Sequence, residues 1–397
     1  MNEDTLGRTP APATDSGPVQ ARHGRGSIRT LVLHPQFASG TACLLGLLSL
    51  LTVLCFHFPE LLTSQEFRAV YTETFARNLL LVGLIGAFII GTIAILRGHH
   101  RRYAFVGLGS AGLAVLLGGT SVQFEKVSAT PYSLGLDWFV LALFFSALVF
   151  VPLEHHFARR PVAVFREGWR TDAVYFFMSH VMVQFILLMV TASTSIVVGA
   201  AHMPEVQAFV SAMPFIAQFL LAIFVADLAQ ALLHRCYHRI TTLWRFHSVH
   251  HSSRDLDWLA GSRVHLVETV LTRSIVVLPL LALGFEQPVV NAYAILVGLQ
   301  AVIAHANINI RFGWLEYLVT LPRYHHWHHA RHKDYWDCNY AIHLPLVDML
   351  MGTFKLPKDH SWPDEYGVFT LESVPRGFVA QHAMPFRRQA TYDDHVR

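Results

Sequence analysis

Histidine is the residue type whose number and spacing in this sequence best suit chemistry, and that chemistry is metal binding. The chain has 25 histidines, and thirteen of them lie between His234 and His343. Nine of the thirteen form four motifs: an H-x3-H, two H-x2-HH motifs and one histidine at the end of an apolar run. These are His234 and His238; His247, His250 and His251; His305; and His325, His328 and His329.

The spacing of these motifs predicts shared metal ligands if the segments are helical. Residues three and four apart lie on one face of a helix, so the H-x3-H presents two imidazoles to one ion. In H-x2-HH the first and last histidines share a face, whereas the adjacent pair diverges by about 100° around the helix. Each H-x2-HH can therefore reach two metal positions.

The number of histidines predicts two metal ions, because one first-row metal usually accepts only four to six ligands. Imidazole suits iron, zinc, copper and nickel, so the ligand type does not name the metal. A single H-x3-H beside a basic loop is more typical of an interfacial helix than of a metal site. Packing does not explain four such motifs together.

Polar residues near the motifs are candidates for supporting roles, since metal-bound imidazoles usually donate their second N–H to a carboxylate, carbonyl or water. An acidic residue inside an apolar run, as at position 227, is a functional candidate by default. The alternatives are that this residue pairs with a neighbouring helix and that residues 263, 265 and 268 anchor the ends of a hairpin. The candidates are Asp227, Arg263, His265, Glu268, Asp337 and Asn339.

The elements that position these residues belong to an apolar chain. Of its 397 residues, 53% are hydrophobic and 14% are charged, where a soluble domain carries roughly 25% charged residues. The mean hydropathy of +0.39 excludes a disordered, collagen-like or disulfide-rich chain. The net charge of +3 gives no reason to expect a nucleic-acid partner, and the four cysteines form no CxxC pair.

Apolar runs predict a polytopic membrane protein, because a spanning helix needs about 20 mostly apolar residues. Two further runs, 266–285 and 289–304, form either two crossings or one re-entrant hairpin, and in both cases the chain returns to the side it left. The six predicted spans are 37–58, 79–96, 103–122, 134–153, 173–200 and 210–233.

The basic residues predict the orientation. With residue 1 inside, 26 of the 30 Lys and Arg fall in cytoplasmic segments and 3 in external ones. Cytoplasmic loops of membrane proteins carry such an excess of Lys and Arg. Both termini and all four histidine motifs are then cytoplasmic. We expect an all-α transmembrane helical bundle with a cytoplasmic histidine-rich helical cap. Its predicted parts are a disordered tail (1–36), a three-span extension (37–133) and a catalytic domain (134–397).

The ordered motifs resemble the fatty acid hydroxylase/sterol desaturase superfamily of membrane histidine-box proteins. Further likenesses are the string REGWRTDAVYF from Arg166, an acidic residue before HR-x2-H, and an R-x-H-x2-E from Arg263. The string DCNYAIHLPLVDMLMGTFKLP from Asp337 is also similar, and WPDEYGVF from Trp362 resembles bacterial members. The resemblance covers residues 134 to 397, and its bacterial character implies a bacterial inner membrane.

The sequence departs from the family pattern in three places. Ala231 and Leu232 stand where the family often has Tyr-Trp, which puts an aromatic wall there in doubt. Leu266 stands where a proline commonly follows the histidine, so the entry to the hairpin differs. Asn309 stands where some hydroxylases have a second histidine after the one matched by His305, and it is expected to hold a water beside the metal.

The resemblance implies an integral membrane enzyme with two iron ions, for which zinc can substitute in purified protein. Such an enzyme uses O2 and external electrons to hydroxylate or desaturate a C–H bond of a membrane lipid. No haem, flavin or Rossmann-type segment is visible in the sequence, so we expect a separate electron donor of ferredoxin or cytochrome type.

Two other hypotheses remain open. A histidine-rich zinc transporter or metal sensor needs ligands along a path through the bilayer, and the first five predicted spans offer chiefly His180 and Gln184. A catalytically dead scaffold conflicts with the presence of all nine motif histidines.

Overall fold

The structure is a computed structural model. It describes residues 35–64, 68, 71–98, 101–123, 134–182, 185, 190, 203–368 and 374–387. The predicted tail lies outside the described residues up to residue 34, and so does most of the predicted span 173–200.

The described residues form helices and no β-strand, apart from two isolated bridges, Ala158 with Ile308 and Ala330 with Tyr366. The longer helices are α1 (Pro35–His57), α3 (Glu73–Leu96), α4 (Arg101–Leu116), α5 (Leu136–Phe157), α6 (Trp169–Val181), α8 (Phe215–Arg239), α10 (Leu266–Ala282) and α11 (Gln287–His305). The shorter ones are α2 (Pro59–Leu62), α7 (Pro204–Ser211), α9 (Thr241–His247), α12 (Pro322–His328), α13 (Pro345–Met351) and α14 (Phe378–Ala383).

Six of these helices are long and apolar enough to cross a membrane, so this is a multi-pass membrane protein. They are Phe37–His57, Glu73–Leu96, Arg101–Ser121, Leu136–Phe157, Phe215–Arg239 and Gln287–His305. Five match predicted spans, and the sixth is the second run of the predicted hairpin. The first run forms α10, whose 17 residues are slightly too few for the same criterion.

The N-terminal helices pack as a bundle with a very close backbone contact. α1 lies against α3 and α4 and also contacts α5. A Cβ on Gly46 of α1 would lie 2.0 Å from the carbonyl oxygen of Gly107 in α4. Small residues are common where membrane helices approach closely, because they let the backbones meet.

The second half places α8 against α10, α11 and α13, with α12 packed on α11. The apolar residues between α8, α10 and α11 form a buried core that includes Ala222, Val276, Leu280 and Tyr293. At one end of this core, α8 and α11 end in histidines, and the short helices α9 and α12 lie across the same end.

Candidate metal centre

The nine predicted histidines meet in two adjoining clusters. Within each cluster, the ligand nitrogens all lie within 4.8 Å of one another. All nine side chains are at most 9% exposed. The five-histidine cluster consists of His234, His238, His247, His251 and His328. The four-histidine cluster consists of His250, His305, His325 and His329.

Each H-x2-HH motif contributes to both clusters. α9 ends at His247, and the following 3₁₀ turn directs His250 to one cluster and His251 to the other. In the second motif, His328 and His329 separate in the same way. The spacing therefore acts as predicted: residues four apart converge and adjacent residues diverge, even though part of the first motif is a turn and not an α-helix.

The distances between ring nitrogens match those of ligands around one ion. The Nε2 atoms of His234 and His247 are 3.0 Å apart. The Nε2 atom of His305 lies 3.3 Å from that of His250 and 3.2 Å from that of His329. Two nitrogens each about 2.1 Å from one ion are roughly 3.0 to 3.4 Å apart at right or tetrahedral angles.

The second nitrogen of several rings is fixed as a hydrogen-bond donor. Its partner is a backbone carbonyl, which can only accept, so Nδ1 carries the proton and Nε2 keeps a bare lone pair. His234 Nδ1 donates to the Tyr340 carbonyl (2.8 Å), and His250 Nδ1 donates to the Arg263 carbonyl (3.2 Å). His305 Nδ1 donates to the Ala301 carbonyl (2.8 Å), and His328 Nδ1 donates to the Cys338 carbonyl (2.8 Å).

These tautomers leave unprotonated nitrogens facing one another. The close approach of His305 Nε2 to His250 Nε2 brings two lone pairs together with no proton between them. The Nε2 atoms of His238 and His328 are buried and have no hydrogen-bond partner among the described residues. A cation in each cluster satisfies all of these lone pairs, so the donor set fits a pair of first-row metal ions.

The six cluster histidines outside the membrane-spanning helices are held neutral. Burial, reinforced by the neighbouring imidazoles, lowers the pKa of each well below 6.5, so the metal-binding form is already present at neutral pH. These six are His247, His250, His251, His325, His328 and His329.

Among the predicted supporting residues, Glu268 touches a cluster histidine directly. Its Oε1 atom accepts from Nδ1 of His247 at 2.7 Å, and both side chains are buried. The other carboxylate oxygen of Glu268 is buried without a hydrogen-bond partner among the described residues.

Asp227 supports the site through the loop at residues 339–344. Its carboxylate accepts the backbone N–H groups of Ile342 (2.9 Å), His343 (3.1 Å) and Leu344 (2.7 Å). The Tyr340 carbonyl in the same loop orients His234. Asp227 is therefore a positioning residue for that loop and makes no hydrogen bond to a cluster histidine.

The remaining predicted residues do not line the clusters. His265 caps α10 and donates to the carbonyl of His382 at 3.1 Å. Asp337 is exposed and pairs with Arg239. Asn339 is buried with a φ of 58°, and its side chain joins Tyr324 and Lys355 backbones.

The placement of Asn309 corrects a prediction. Its side chain is exposed and its backbone N–H donates to Phe157, so it does not hold a water beside the clusters. The chain turns away from α11 immediately after His305, which removes the helical spacing on which the prediction depended.

Sequence reasoning missed a buried ionic network behind the four-histidine cluster. Arg166 pairs with Asp257 (2.7 Å) and Asp172 (2.8 Å), and Arg263 pairs with Asp172 (2.6 Å). The carbonyl of Arg263 accepts from His250, so the network fixes that ring. Its signals in the sequence were the charged residues of the string from Arg166, and Arg263 in the R-x-H-x2-E string.

Two more supporting residues were missed. Asp348 accepts the backbone N–H groups of Tyr340 (2.9 Å) and Ala341 (2.6 Å), which secures the 339–344 loop from a second side. His326 is buried beside the clusters but not in them, and its Nε2 donates to the carbonyl of His305 at 3.3 Å. His326 lies off the H-x2-HH spacing, which agrees with its place outside both clusters.

Comparisons with known proteins agree with this geometry. The sequence profile of the family described as "Fatty acid hydroxylase" matches residues 219–353. That range contains all nine cluster histidines. No solved structure matches the chain significantly.

Several characterised relatives share parts of the chain. Ornithine lipid hydroxylase OlsE of Rhizobium tropici is 33% identical over 179 residues, which cover 44% of this chain and 52% of that protein. Human alkylglycerol monooxygenase is 30% identical over 122 residues, which cover 31% of this chain and 27% of the relative. Very-long-chain aldehyde decarbonylase GL1-6 of Oryza sativa subsp. indica is 26% identical over 132 residues, or 30% and 20% of the two chains.

The matched region thus spans about half or less of each of these relatives. Two independent observations nevertheless agree on the same segment: the family profile, and the two clusters that gather every histidine of the motifs. The segment at residues 219–353 is therefore similar to the fatty acid hydroxylase family and to lipid hydroxylases that share this region.

Proposed function

We propose that this protein is an integral membrane di-iron oxygenase that uses O2 and external electrons to hydroxylate a C–H bond of a lipid. The observation that carries the proposal is the pair of buried histidine clusters with converging, unprotonated nitrogens. An iron pair bound there supplies reductive O2 activation, which none of these side chains can provide.

The protein's own residues would bind the metal ions and exclude water from them. The five-histidine and four-histidine clusters would each bind one ion, with Glu268 and the backbone acceptors fixing the ring tautomers. Burial excludes bulk water from the clusters. The described residues offer no nucleophile in contact with these rings, and we assign no general acid or base.

Relatives favour a lipid substrate and hydroxylation over desaturation. The ornithine lipid hydroxylase and the alkylglycerol monooxygenase are both named for oxygen insertion into lipids. The clusters lie at the ends of apolar helices, so a lipid can reach them from the bilayer without crossing water.

We further propose that electrons come from a separate carrier of ferredoxin or cytochrome type. The distribution of Lys and Arg supports cytoplasmic termini and a cytoplasmic site, where a soluble carrier can reach the clusters. The likeness of the string from Trp362 to bacterial members supports a bacterial inner membrane. The relatives do not favour the zinc transporter or metal sensor, because they are named for lipid and aldehyde chemistry.

The function is tested with protein purified from iron-replete cells and with lipid extracts from those cells. We expect about two irons per chain by elemental analysis, and an O2-dependent lipid product heavier by one oxygen atom. His250→Ala and His329→Ala should each abolish the product, because each removes a ligand from the four-histidine cluster.

His332→Ala is the matched control, because His332 follows the second motif but is exposed and outside both clusters. It should leave iron content and product unchanged. Undiminished product from both ligand variants would contradict the proposed function. A product lighter by two hydrogens would identify a desaturase instead.

A further inference from the structure

Arg273 is a charged side chain without a partner in the interior of the second helical half. It lies midway along α10, between apolar residues that pack against α8 and α11. It donates no hydrogen bond and forms no ion pair with any described residue. The side chain is half-buried. A guanidinium has five N–H donors, so this arrangement leaves all of them unused.

A second polar group nearby is also unpartnered. His343, in the 339–344 loop, is 3% exposed, and its Nδ1 atom has no hydrogen-bond partner among the described residues. Its Nε2 atom lies 3.3 Å from the hydroxyl of Tyr293 in α11. Val276 and Leu280 follow Arg273 on the same face of α10 and pack in one buried core with Tyr293. The charge of Arg273 also acts on Tyr293, on His343 and on His180 of α6, so these side chains share one locality.

The hydrogen bonds around these side chains leave N–H donors without acceptors. Nε2 of His343 and the Tyr293 hydroxyl share one hydrogen bond. With the hydroxyl as its donor, Nδ1 of His343 carries the ring proton. Arg273 and His343 then offer N–H groups with no acceptor. Asp227 also acts on Tyr293, but its carboxylate already accepts three backbone N–H groups.

Two segments of the chain connect this site to residues that hold the five-histidine cluster. Arg273 is five residues after Glu268, which is a rise of roughly 7.5 Å along α10, and Glu268 accepts from cluster residue His247. His343 is three residues after Tyr340, so the two lie within roughly 10 Å of each other, and the Tyr340 carbonyl holds His234. Two separate segments thus connect the donors to the five-histidine cluster.

Charged groups inside a membrane protein are normally paired or face a functional cavity. We propose that Arg273 and Nδ1 of His343 bind the oxyanion of the lipid substrate, a carboxylate or a phosphate. This inference rests on the proposed function and names its substrate class.

Binding is measured separately from catalysis, with the full-length metal-loaded protein in a neutral detergent. The probes are dodecanoate, dodecyl phosphate, dodecanol and inorganic phosphate, and the readout is the shift in thermal unfolding temperature with probe concentration. We expect the anionic amphiphiles to stabilise the wild type more than dodecanol does. Response to only one anion identifies the headgroup, and a shift with inorganic phosphate equal to that with dodecyl phosphate would overturn a lipid ligand.

Arg273→Gln removes the charge and should weaken binding of the anionic amphiphile about thirtyfold or more, with dodecanol unaffected. Arg273→Lys should retain part of the affinity, which covers a failure of the glutamine variant to fold. Arg170→Gln is the control, because Arg170 is an exposed arginine outside this locality. Equal shifts for dodecanol and the anions in the wild type, or unchanged anion affinity in Arg273→Gln, would overturn the proposal while leaving the oxygenase proposal standing.

Discussion

Individual histidines in the clusters are held in one tautomer by the acceptors at their Nδ1 atoms. Four of these acceptors are backbone carbonyls, and the fifth is the carboxylate of Glu268. Burial raises the pKa of Glu268 to about 8, and in its ionised form the carboxylate raises the basicity of its imidazole more than a carbonyl does. Glu268 is therefore the point at which a single substitution tests support of a ligand without removing the ligand.

Glu268→Ala should lower the affinity of the five-histidine cluster for its metal about 10- to 100-fold, because His247 loses its acceptor. Metal retention during titration with a chelator measures this change. Glu268→Gln keeps an acceptor oxygen and should lose less. Equal retention by wild type and Glu268→Ala would show that His247 needs no such support.

Gly261 controls how closely the 3₁₀ turn Ala260–Ser262 approaches α11. A Cβ on this residue would lie 2.8 Å from Nδ1 of His305 and 2.8 Å from the carbonyl oxygen of Ala301, the two atoms of the hydrogen bond that orients His305. Gly261→Ala should therefore deplete the four-histidine cluster of metal about tenfold or more. Elemental analysis after dialysis measures the loss.

Gly298→Ala is the matched control for this substitution. Gly298 lies on α11 itself, and a Cβ there meets no atom within 4 Å. It should keep its full metal content. Equal depletion in both variants would mean that α11 responds to any added methyl group, and not that Gly261 provides room for His305.

At the scale of helices, close packing joins α1 to α4 in the N-terminal extension. A Cβ on Gly107 would lie 2.2 Å from the carbonyl oxygen of Ala42, and backbone atoms cannot move aside as a flexible side chain can. Gly107→Ala should destabilise the bundle by about 1–3 kcal/mol, the usual cost of overpacking. The thermal unfolding midpoint in detergent measures this.

The control is Gly112→Ala on the same helix, where a Cβ meets no atom within 4 Å. It should leave the midpoint unchanged or raise it slightly, since alanine favours helix. If residues 37–133 do not contribute to the histidine clusters, Gly107→Ala should leave the metal content unchanged. Loss of metal in that variant would show that the N-terminal helices support metal binding.

For the whole molecule, metal and protons compete for the same buried nitrogens. Burial holds the pKa of six cluster histidines, including His247 and His329, well below 6.5, whereas in the unfolded chain they titrate near 6.5. The unfolded state therefore takes up more protons below that pH, and the free energy of unfolding falls as pH falls. Above pH 6.5 this stabilisation is fully present.

We expect chelator-treated protein to lose thermal stability between about pH 6.5 and 5, and metal-loaded protein to resist until acid displaces the metal. Unfolding midpoints of both forms across pH 5 to 8 measure the effect. A metal-free midpoint that does not change over this range would contradict neutral, buried cluster histidines.

From the sequence alone, the helical bundle, most of its spans and the nine histidines could be predicted, because hydrophobic runs and a repeat of three and four residues are local properties. The pairing of His247 with His251, and the divergence of His250 from His251, also follow from the chain's local geometry. The sequence predicted a supporting role for Glu268, but it did not identify His247 as the histidine that Glu268 contacts.

The tertiary structure alone decided how residues far apart in the chain combine. It assigned His328 to the cluster of His234 and His329 to that of His305, separations that no helical period encodes. It excluded Asn309, since the backbone leaves the helix after His305. It also left Arg273 without a partner beside His343, because only packing determines which charges meet their counterparts and which remain free for a ligand.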